Sequence, residues 1–299
     1  MLILSSEQIA RLNLDPAQSV EWVREAFLIK DRCQLPPKIG LHPRGTDFFN
    51  TMPCILPEEM HTFGCKVVSR IKGTHPALKS ELMVFDTLTG AMTALVNCDW
   101  ITARRTGAVA TLAINTLRCS TASVYAFVGL GVMAHATLDC FLATNTDRPI
   151  TIRLKRYKDQ AEATALRYGN APNVTFEIAD SMEQLVEGAD VVVSCITDAD
   201  GLMVGNVDLF QPGVLVVPVH TRGFQNCDRV FDKVYADDEG HVSGFRYFNE
   251  FRSFAEIGQV LKGADPGRDN DRQRILSYNI GLGLHDLSLI HISEPTRPY

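Results

Sequence analysis

The sequence lacks the features that mark several large classes of protein. No apolar run approaches the roughly 20 residues that a transmembrane helix needs. The first residues lack the basic region and the long apolar stretch of a secretory signal. The formal net charge is −6, which gives no general attraction to nucleic acid. We therefore expect a cytoplasmic protein that binds neither nucleic acid nor membrane.

Metal-site and disulfide patterns are also missing. The chain has eight cysteines and eight histidines, but no CxxC, HxxxH or HxH spacing occurs. The absence of ligand spacing argues against a bound metal. In a chain of 299 residues, scattered cysteines are typical of small buried side chains in a reducing compartment.

The first part of the chain is predicted to be a mixed α+β region. The composition is that of an ordinary globular protein and the length suggests about two domains. Ser5-x-x-Gln8 forms a capping-box pattern, and Asp15-Pro16 is typical of a helix start. Thr89-Gly90 indicates a hairpin turn. Strands are predicted at 46–52, 63–70, 81–87 and 91–97, before a long helix at 99–118.

From Ser123 onward the pattern changes to alternating strands and helices. Two predicted strands are continuous apolar runs, which is typical of strands buried on both faces. The predicted fold class is therefore α/β: a doubly wound parallel Rossmann sheet plus a second α+β substrate and dimerisation domain. The predicted strands lie at 124–128, 150–154, 174–178, 190–195 and 214–219, with a last helix at 252–262.

A glycine-rich turn follows the first of these strands. Gly129, Gly131 and Ala134 occupy the three positions of a dinucleotide-binding turn, between a strand and a helix. Gly129 would permit the turn, Gly131 would let the pyrophosphate approach the backbone, and Ala134 would pack helix on strand. The alternative is a simple strand-to-helix turn.

The end of the next strand discriminates between the two nicotinamide cofactors. NAD sites usually carry an acidic residue there for the ribose 2′-hydroxyl, but this chain has Lys155 and Arg156. Two cations would attract a 2′-phosphate, so we favour NADP(H), with NAD(H) possible. The alternative interpretation is a solvated basic patch.

Two arginines lie near the start of the helix predicted at 99–118. Arg104 and Arg105 are placed where the helix dipole disfavours positive charge. Unfavourable cations beside a cofactor site indicate an anionic substrate.

With these residues in view, residues 1–286 resemble the ornithine cyclodeaminase and mu-crystallin family. That resemblance implies NAD(P)-dependent chemistry on amino acids or cyclic imines, a substrate domain built from both ends of the chain, and a homodimer. The matching strings, in order, are Thr51-Met52-Pro53, Gly64-Cys65-Lys66-Val67-Val68, Thr89-Gly90, Thr102-Ala103-Arg104-Arg105-Thr106, Gly129-Leu130-Gly131-Val132-Met133-Ala134, Gly188-Ala189-Asp190-Val191-Val192, Ala255-Glu256-Ile257-Gly258 and Gly281-Leu282-Gly283-Leu284-His285-Asp286.

The resemblance implies roles for individual residues. Lys66 matches the family's active-site lysine, which would move a proton at the substrate nitrogen. Arg105 matches the arginine that holds the substrate carboxylate. Lys38 falls where the family has a second arginine that binds the same carboxylate. Thr197 and His220 are expected to contact the cofactor.

Two departures from the family pattern bear on the reaction. The cyclodeaminases carry a glutamate just before the Met-Pro pair, where Asn50 stands nearest and is expected to bind substrate. They also carry an aspartate after the strand at 214–219, where this chain has Arg222, or Thr221 on a one-residue slip. No carboxylate follows until Asp228, which argues against ornithine cyclisation.

We therefore expect an NAD(P)-dependent oxidoreductase that transfers hydride at the C–N bond of a small 2-imino or 2-amino acid. The alternatives are an ammonia-releasing ornithine cyclodeaminase in which His220 or Asp228 replaces the aspartate, and a non-catalytic ligand-binding protein of the crystallin kind.

The expected domains are 1–118 with 275–286 for substrate and dimerisation, and 119–274 for NAD(P). Residues 287–299 resemble the translation of a sequencing adapter, although a short natural tail is the alternative. On the adapter interpretation, Asp286 closes the last true element and the natural chain continues differently. The tail, which contains two prolines, is then expected to make few core contacts.

Overall fold

The computed structural model describes residues 1–145, 147–197 and 199–291, the last residue by its backbone alone. No helix in this described part of the chain is long and apolar enough to cross a membrane.

The chain folds into two compact units. One combines Met1–Arg105 with the segment that begins at Gly281, and the other is Thr106–Ile280. The division thus falls before residue 118, inside the long helix. The predicted assignment of 275–280 to the first unit is wrong, because the strand Ile275–Tyr278 pairs within the parallel sheet of the second.

A six-stranded sheet forms the described framework of the first unit, in the order β1-β6-β5-β4-β3-β2. Every neighbouring pair is antiparallel except β1 and β6. The strands are β1 (Leu2–Leu4), β2 (Ile39–Leu41), β3 (Phe48–Ile55), β4 (Thr62–Arg70), β5 (Leu78–Asp86) and β6 (Met92–Asn97).

Helices precede β2 and follow β6 along the chain, and the sequence signals for the starts of the first two are confirmed. Ser5 and Gln8 form the reciprocal capping box, and Asp15 caps the helix that Pro16 begins. Asp99 accepts hydrogen bonds from the backbone and hydroxyl of Ser80, which ties the long helix to β5. The helices are α1 (Ser6–Ala10), α2 (Pro16–Ile29) and α3 (Asp99–Leu117), with 3-10 turns at Lys30–Arg32 and Glu58–Met60.

The second unit contains an eight-stranded sheet within the described residues, and all its neighbouring strands are parallel. Its order, β13-β12-β14-β11-β10-β7-β8-β9, confirms the predicted doubly wound sheet. The strands are β7 (Val124–Val128), β8 (Ile150–Lys155), β9 (Val174–Ala179), β10 (Val191–Ser194), β11 (Leu215–Pro218), β12 (Lys233–Ala236), β13 (Phe254–Glu256) and β14 (Ile275–Tyr278).

Helices and short turns connect these strands. Gly107 lets α3 approach the next helix closely, since a Cβ there would overlap the backbone of Ala136. These elements are α4 (Val132–Thr144), α5 (Gln160–Tyr168), α6 (Met182–Val186), α7 (Glu239–Val242) and α8 (Ile257–Leu261), with 3-10 turns at Val207–Leu209 and Phe248–Glu250.

The prediction of a helix at 252–262 is wrong for the first half of that range. Phe254–Glu256 is strand β13, because it pairs with the edge of β12. Only Ile257–Leu261 is helical, and a capping box between Glu256 and Gln259 starts it.

The end of the described chain also differs from the prediction. Asp286 does not close the last element, because helix α9 runs from Gly283 to His291. Leu287 is fully buried and Leu289 is 4% exposed, and α9 packs on α2, β3 and β4. The expectation of few core contacts is therefore wrong for 287–289, while 292–299 lie outside the described residues.

Candidate active site and cofactor site

Lys66 lies at the centre of the first unit. It is on β4, which is flanked by β3 and β5, and it pairs with Met52 and Leu82 across the two neighbours. Burial alternates along β4, and Lys66 falls on the inward face with its side chain completely buried. Burying an unpaired ammonium group costs several kcal/mol, so a counter-charge is required.

Asp286 of α9 supplies that counter-charge and also holds Arg105. The Lys66 Nζ–Asp286 Oδ2 distance is 2.6 Å, and the Arg105 Nε–Asp286 Oδ1 distance is 3.0 Å. Arg105 is almost fully buried as well. One carboxylate therefore joins the two cations that the sequence predicted for substrate, and we refer to these three residues as the charged cluster.

The charged cluster has unused hydrogen-bonding capacity. Among the described residues, neither Lys66 Nζ nor Arg105 Nη1 has an aligned hydrogen-bond partner, although both atoms are buried. The contact of Lys66 with Asp286 is thus a close ion pair rather than an aligned hydrogen bond. Buried donors of this kind are expected to bind a polar ligand, and two cations on one carboxylate favour an anion.

The environment shifts the protonation of the charged cluster. Burial lowers the pKa of Lys66, the charge of Arg105 lowers it further, and Asp286 opposes both. Burial opposes ionisation of Asp286, yet the charges of Arg105 and Lys66 keep its pKa below the usual range. Lys66 is therefore closer than an ordinary lysine to giving up its proton.

The α9 helix is held against the sheet by close packing. Gly283 allows this approach, since a Cβ there would lie 2.7 Å from the Met52 carbonyl oxygen. The rings of His285 and Phe27 are 4.4 Å apart. These contacts fix the turn of α9 that carries Asp286.

The structure places Asn50 near Lys66 along the same sheet. Asn50 pairs with Val68 and Met52 pairs with Lys66, so Asn50 and Lys66 are diagonal neighbours on one face. Lys38 is the residue before β2, whose Ile39 pairs with β3. The guanidinium of Arg104 lies over the Trp100 ring, 5.1 Å from the centroid.

The glycine turn of the second unit has the geometry of a nucleotide site. Gly129 follows β7 with φ +81°, and a Cβ there would lie 2.6 Å from the Cys195 backbone after β10. Within the described part of the chain, a Cβ at Gly131 would meet nothing within 4 Å, and no side chain caps the N-terminus of α4. Ala134 is fully buried. Open space before free amide groups at a helix start fits a pyrophosphate.

The two cations at the end of β8, Lys155 in the strand and Arg156 after it, are engaged by neighbouring groups. Arg156 Nε lies 2.5 Å from Asp180 Oδ1, and Arg156 also pairs with Glu162. Lys155 donates to the carbonyl oxygens of Arg156 and Asp180. All of these side chains are partly exposed, so the basic pair is accessible but shared with carboxylates.

His220 is a partly buried histidine whose environment favours the neutral form. Its Nε2 lies 2.6 Å from Ser194 Oγ, and its Nδ1 accepts from the Arg222 backbone N–H at 3.4 Å. Burial lowers the pKa of His220 to about 4. Both ring nitrogens are occupied by protein groups. Thr197 lies exposed beyond the end of β10, at the carboxyl edge of the sheet.

Asp228 is fully buried in the second unit. It accepts a hydrogen bond from the Tyr278 hydroxyl at 2.7 Å, and its other oxygen has no partner among the described residues. Burial raises the pKa of Asp228 to about 6.

These observations define a class of protein: an α/β protein with a parallel Rossmann sheet, a glycine turn of the dinucleotide-binding type and a buried cluster of two cations and one carboxylate. The chain belongs to the Ornithine cyclodeaminase/mu-crystallin family, whose sequence profile matches residues 2–294. Family membership and the Rossmann sheet confirm the predicted class of NAD(P)-dependent oxidoreductase.

Individual relatives are distant but cover most of the chain. Nodulation efficiency protein NfeD of Rhizobium meliloti is 24% identical over 96% of this chain and 92% of its own. The Delta(1)-pyrroline-2-carboxylate reductase of Bacillus cereus is 26% identical over 79% and 77%. The Thermococcus litoralis Delta(1)-pyrroline-2-carboxylate reductase, solved with NADH and L-proline, has the same fold. Its TM-score is 0.82 at 22% identity, covering 97% and 95% of the two chains.

Sequence reasoning did not connect Asp286 with Lys66 and Arg105. The residue was visible as a carboxylate within a helix whose inward positions are leucines, including Leu284 and Leu287. A carboxylate on an apolar helix face requires a buried cation, and Lys66 and Arg105 were the two unmatched candidates.

Proposed function

We propose that this protein uses NAD(P)H to reduce a small cyclic 2-imino acid to the corresponding amino acid. The observation that supports this most directly is the charged cluster, in which buried Lys66 and Arg105 share Asp286 and keep N–H groups unused. In a cyclic 2-imino acid the carboxylate is attached to the carbon that is bonded to the ring nitrogen. The N–H groups of Lys66 and Arg105 are a pair of donors that can bind these two groups.

Each residue of the site has a separate task in this reaction. The nicotinamide, when bound, supplies the hydride. Arg105 binds the substrate carboxylate with a planar guanidinium, and Lys38 adds positive charge. Lys66 supplies the proton at the substrate nitrogen, since a lowered pKa favours proton transfer near neutral pH. Asn50 offers an amide on the same face, and Asp286 holds both cations in position.

Ornithine cyclodeamination is the weaker candidate. His220 makes a hydrogen bond through each ring nitrogen, which leaves no nitrogen for the substrate amine. Asp228 is bound to Tyr278 in the sheet core. Neither residue is therefore suited to replace the aspartate that the loop at 220–224 lacks.

The reaction is tested by NAD(P)H oxidation with pyrroline-2-carboxylate and, separately, by proline formation from ornithine. We expect reduction of the imino acid and little conversion of ornithine. Lys66→Ala should reduce turnover by about 10²–10⁴-fold while cofactor binding is retained. Lys79→Ala, at an exposed lysine of neighbouring β5, is the matched control and should retain activity. Robust release of ammonia and proline from ornithine would reverse the assignment.

We also propose that NADPH is preferred over NADH. Lys155 ends β8 and Arg156 follows it, where an NAD site usually has a carboxylate. A 2′-phosphate would have to share Arg156 with Asp180 and Glu162, which already orient the guanidinium. The negative charge of Asp180 and Glu162 reduces the expected preference for NADPH over NADH but does not remove it.

Cofactor preference is measured as the ratio of the two dissociation constants. Arg156→Ala should weaken NADPH by about 10–100-fold, equivalent to losing 1.5–3 kcal/mol, and should change NADH little. Arg11→Ala, at an exposed arginine of the first unit, is the control. Equal losses for both nucleotides would instead favour a solvated basic patch.

We further propose a cytoplasmic homodimer, as the family resemblance implies. The edge strand β2 exposes Ile39 and Leu41, and an exposed apolar edge is a typical pairing surface. Sedimentation analysis of the wild-type chain tests the oligomeric state, and a monomer at micromolar concentration would contradict it.

A further inference from the structure

Gly281 lies directly against the arginine of the charged cluster. Its φ is +87°, and it precedes α9 by two residues. A Cβ built at Gly281 would overlap Arg105 Nη1 and would lie 2.6 Å from Cζ and 3.1 Å from Nη2. The space that any other side chain would fill is therefore occupied by the guanidinium group.

The position of the guanidinium matters because Arg105 uses its nitrogens for different purposes. Nε faces Asp286 at 3.0 Å, whereas the buried Nη1, the atom beside Gly281, has no partner among the described residues. The Arg105 side chain is only 6% exposed, so a displaced guanidinium has little solvent to move into. Moving it away from Gly281 would change both its bond to Asp286 and the direction of Nη1.

We propose that Gly281 is a positioning residue for Arg105: the missing side chain is what sets the guanidinium between Asp286 and the substrate carboxylate. The carboxylate as ligand rests on the proposed function, but the placement of Arg105 does not. This assigns a role to the first glycine of the Gly281–Asp286 segment, which carries Asp286 five residues later.

The competing explanation is that Gly281 is needed only for its backbone conformation. Gly263 provides a matched control, because its φ is +73° and a Cβ there would meet nothing within 4 Å. Replacing either glycine by alanine imposes the cost of a left-handed residue with a Cβ. Only Gly281→Ala should also displace Arg105. Gly281→Asn separates the effects further, since asparagine tolerates the left-handed region yet still carries a Cβ.

The first experiment is a double-mutant cycle on thermal stability, using Gly281→Ala, Arg105→Ala and the double variant. We expect Gly281→Ala to lower the Tm by several degrees more than Gly263→Ala does. In the Arg105→Ala background the clash is removed, so the same substitution should cost no more than Gly263→Ala. If the single variant does not fold and the double variant does, the proposal is supported. Equal costs in both backgrounds would overturn it.

The second experiment follows the Arg105 Nε–H group directly by NMR on protein labelled with ¹⁵N-arginine. Its signal, assigned by its loss in Arg105→Lys, should be protected from exchange in wild type and in Gly263→Ala, and should lose protection in Gly281→Asn. Retained protection would contradict the proposal.

Kinetics then connects this placement to the reaction. In Gly281→Asn, KM for pyrroline-2-carboxylate should rise at least 10-fold, with a smaller change in kcat and unchanged NADPH binding. An unchanged KM would overturn the proposal for substrate binding. Absence of turnover in wild type, with the expected stability cycle and NMR result, would instead refute the proposed function and leave the placement of Arg105 supported.

Discussion

Two groups of polar side chains, one in each unit, are buried in different ways. In the first unit, Lys66, Arg105 and Asp286 are buried as charges that compensate one another at 2.6 and 3.0 Å. In the second, Asp228 is fully buried and His220 is partly buried, and burial shifts the pKa of each in the direction that favours the neutral form. The charged cluster thus keeps buried charge by pairing it, whereas burial of His220 and Asp228 favours their neutral forms.

The difference agrees with the tasks that the proposed function gives to each unit. Under that proposal the first unit holds cations ready for a substrate carboxylate, which requires it to bear the desolvation cost of three ions. On the proposed function, the second unit would bind its nucleotide through backbone amides at the glycine turn, which need no buried charge. Asp228 and His220 make hydrogen bonds to protein groups instead.

The largest expected effect comes from removing the shared carboxylate. Asp286→Asn leaves two buried cations without a counter-charge, which typically costs about 3–5 kcal/mol. We expect a marked decrease in the denaturant midpoint and a loss of imino-acid reduction of at least about 100-fold. Denaturation followed by circular dichroism and a steady-state assay measure the two effects.

Asp147→Asn is the control for Asp286→Asn. Asp147 is exposed, so the same chemical change there should leave both quantities close to wild type. A folded, fully active Asp286→Asn variant would show that the two cations do not depend on the carboxylate.

A smaller effect, of opposite sign, is expected from Asp228→Asn. The folded-state pKa of about 6 is above the ordinary value of 3.8, so the stabilisation from the protonated form is present below 3.8 and is lost as pH rises through 6. Asparagine can still accept from Tyr278 but never ionises. The variant should therefore be more stable than wild type at pH 7.5, by at most about 3 kcal/mol.

The comparison for Asp228→Asn is made by denaturant unfolding at pH 4 and pH 7.5. The gain should be small at the lower pH, where the wild-type carboxyl is protonated. A gain of the same size at both pH values would show that ionisation of Asp228 is not its cause.

The smallest effect is expected at the exposed ion pairs after β8. The side chains of Arg156 and Asp180 are 44% and 67% exposed, and such pairs contribute about 0–1 kcal/mol. Arg156→Ala should therefore change the Tm by only a few degrees at most, even where it weakens NADPH binding strongly. A large loss of stability without ligand would indicate that Arg156 has a structural role.

The sequence was most informative where local chemistry determines structure. Apolar runs such as Val191-Val192-Val193 predicted the buried strands, because strands covered on both faces are mostly apolar. The capping box at Ser5 and the turn at Gly129 were recognised from short spacings. The strand Phe254–Glu256 was missed because its three residues are extended only through pairing with β12.

The charged cluster could be predicted only in part. The family resemblance indicated Lys66 and Arg105, but Asp286 lies 181 residues beyond Arg105, and no periodicity relates positions so far apart. Gly281 was quoted as part of a motif, yet its contact with Arg105 depends on the folded backbone.

The separation between Arg105 and Asp286 also has a consequence for protein synthesis. The whole of the second unit, Thr106–Ile280, lies between these residues in the chain. Ribosomes must therefore synthesise the second unit before they reach Asp286, the carboxylate of the first unit. At about 5–20 residues per second, the nascent chain carries Lys66 and Arg105 for roughly 10–35 s without Asp286. The N-terminal segment therefore cannot complete its final fold until the C-terminal segment has been synthesised. A ribosome stalled before codon 286 would carry a chain with Lys66 and Arg105 but without Asp286 as counter-charge.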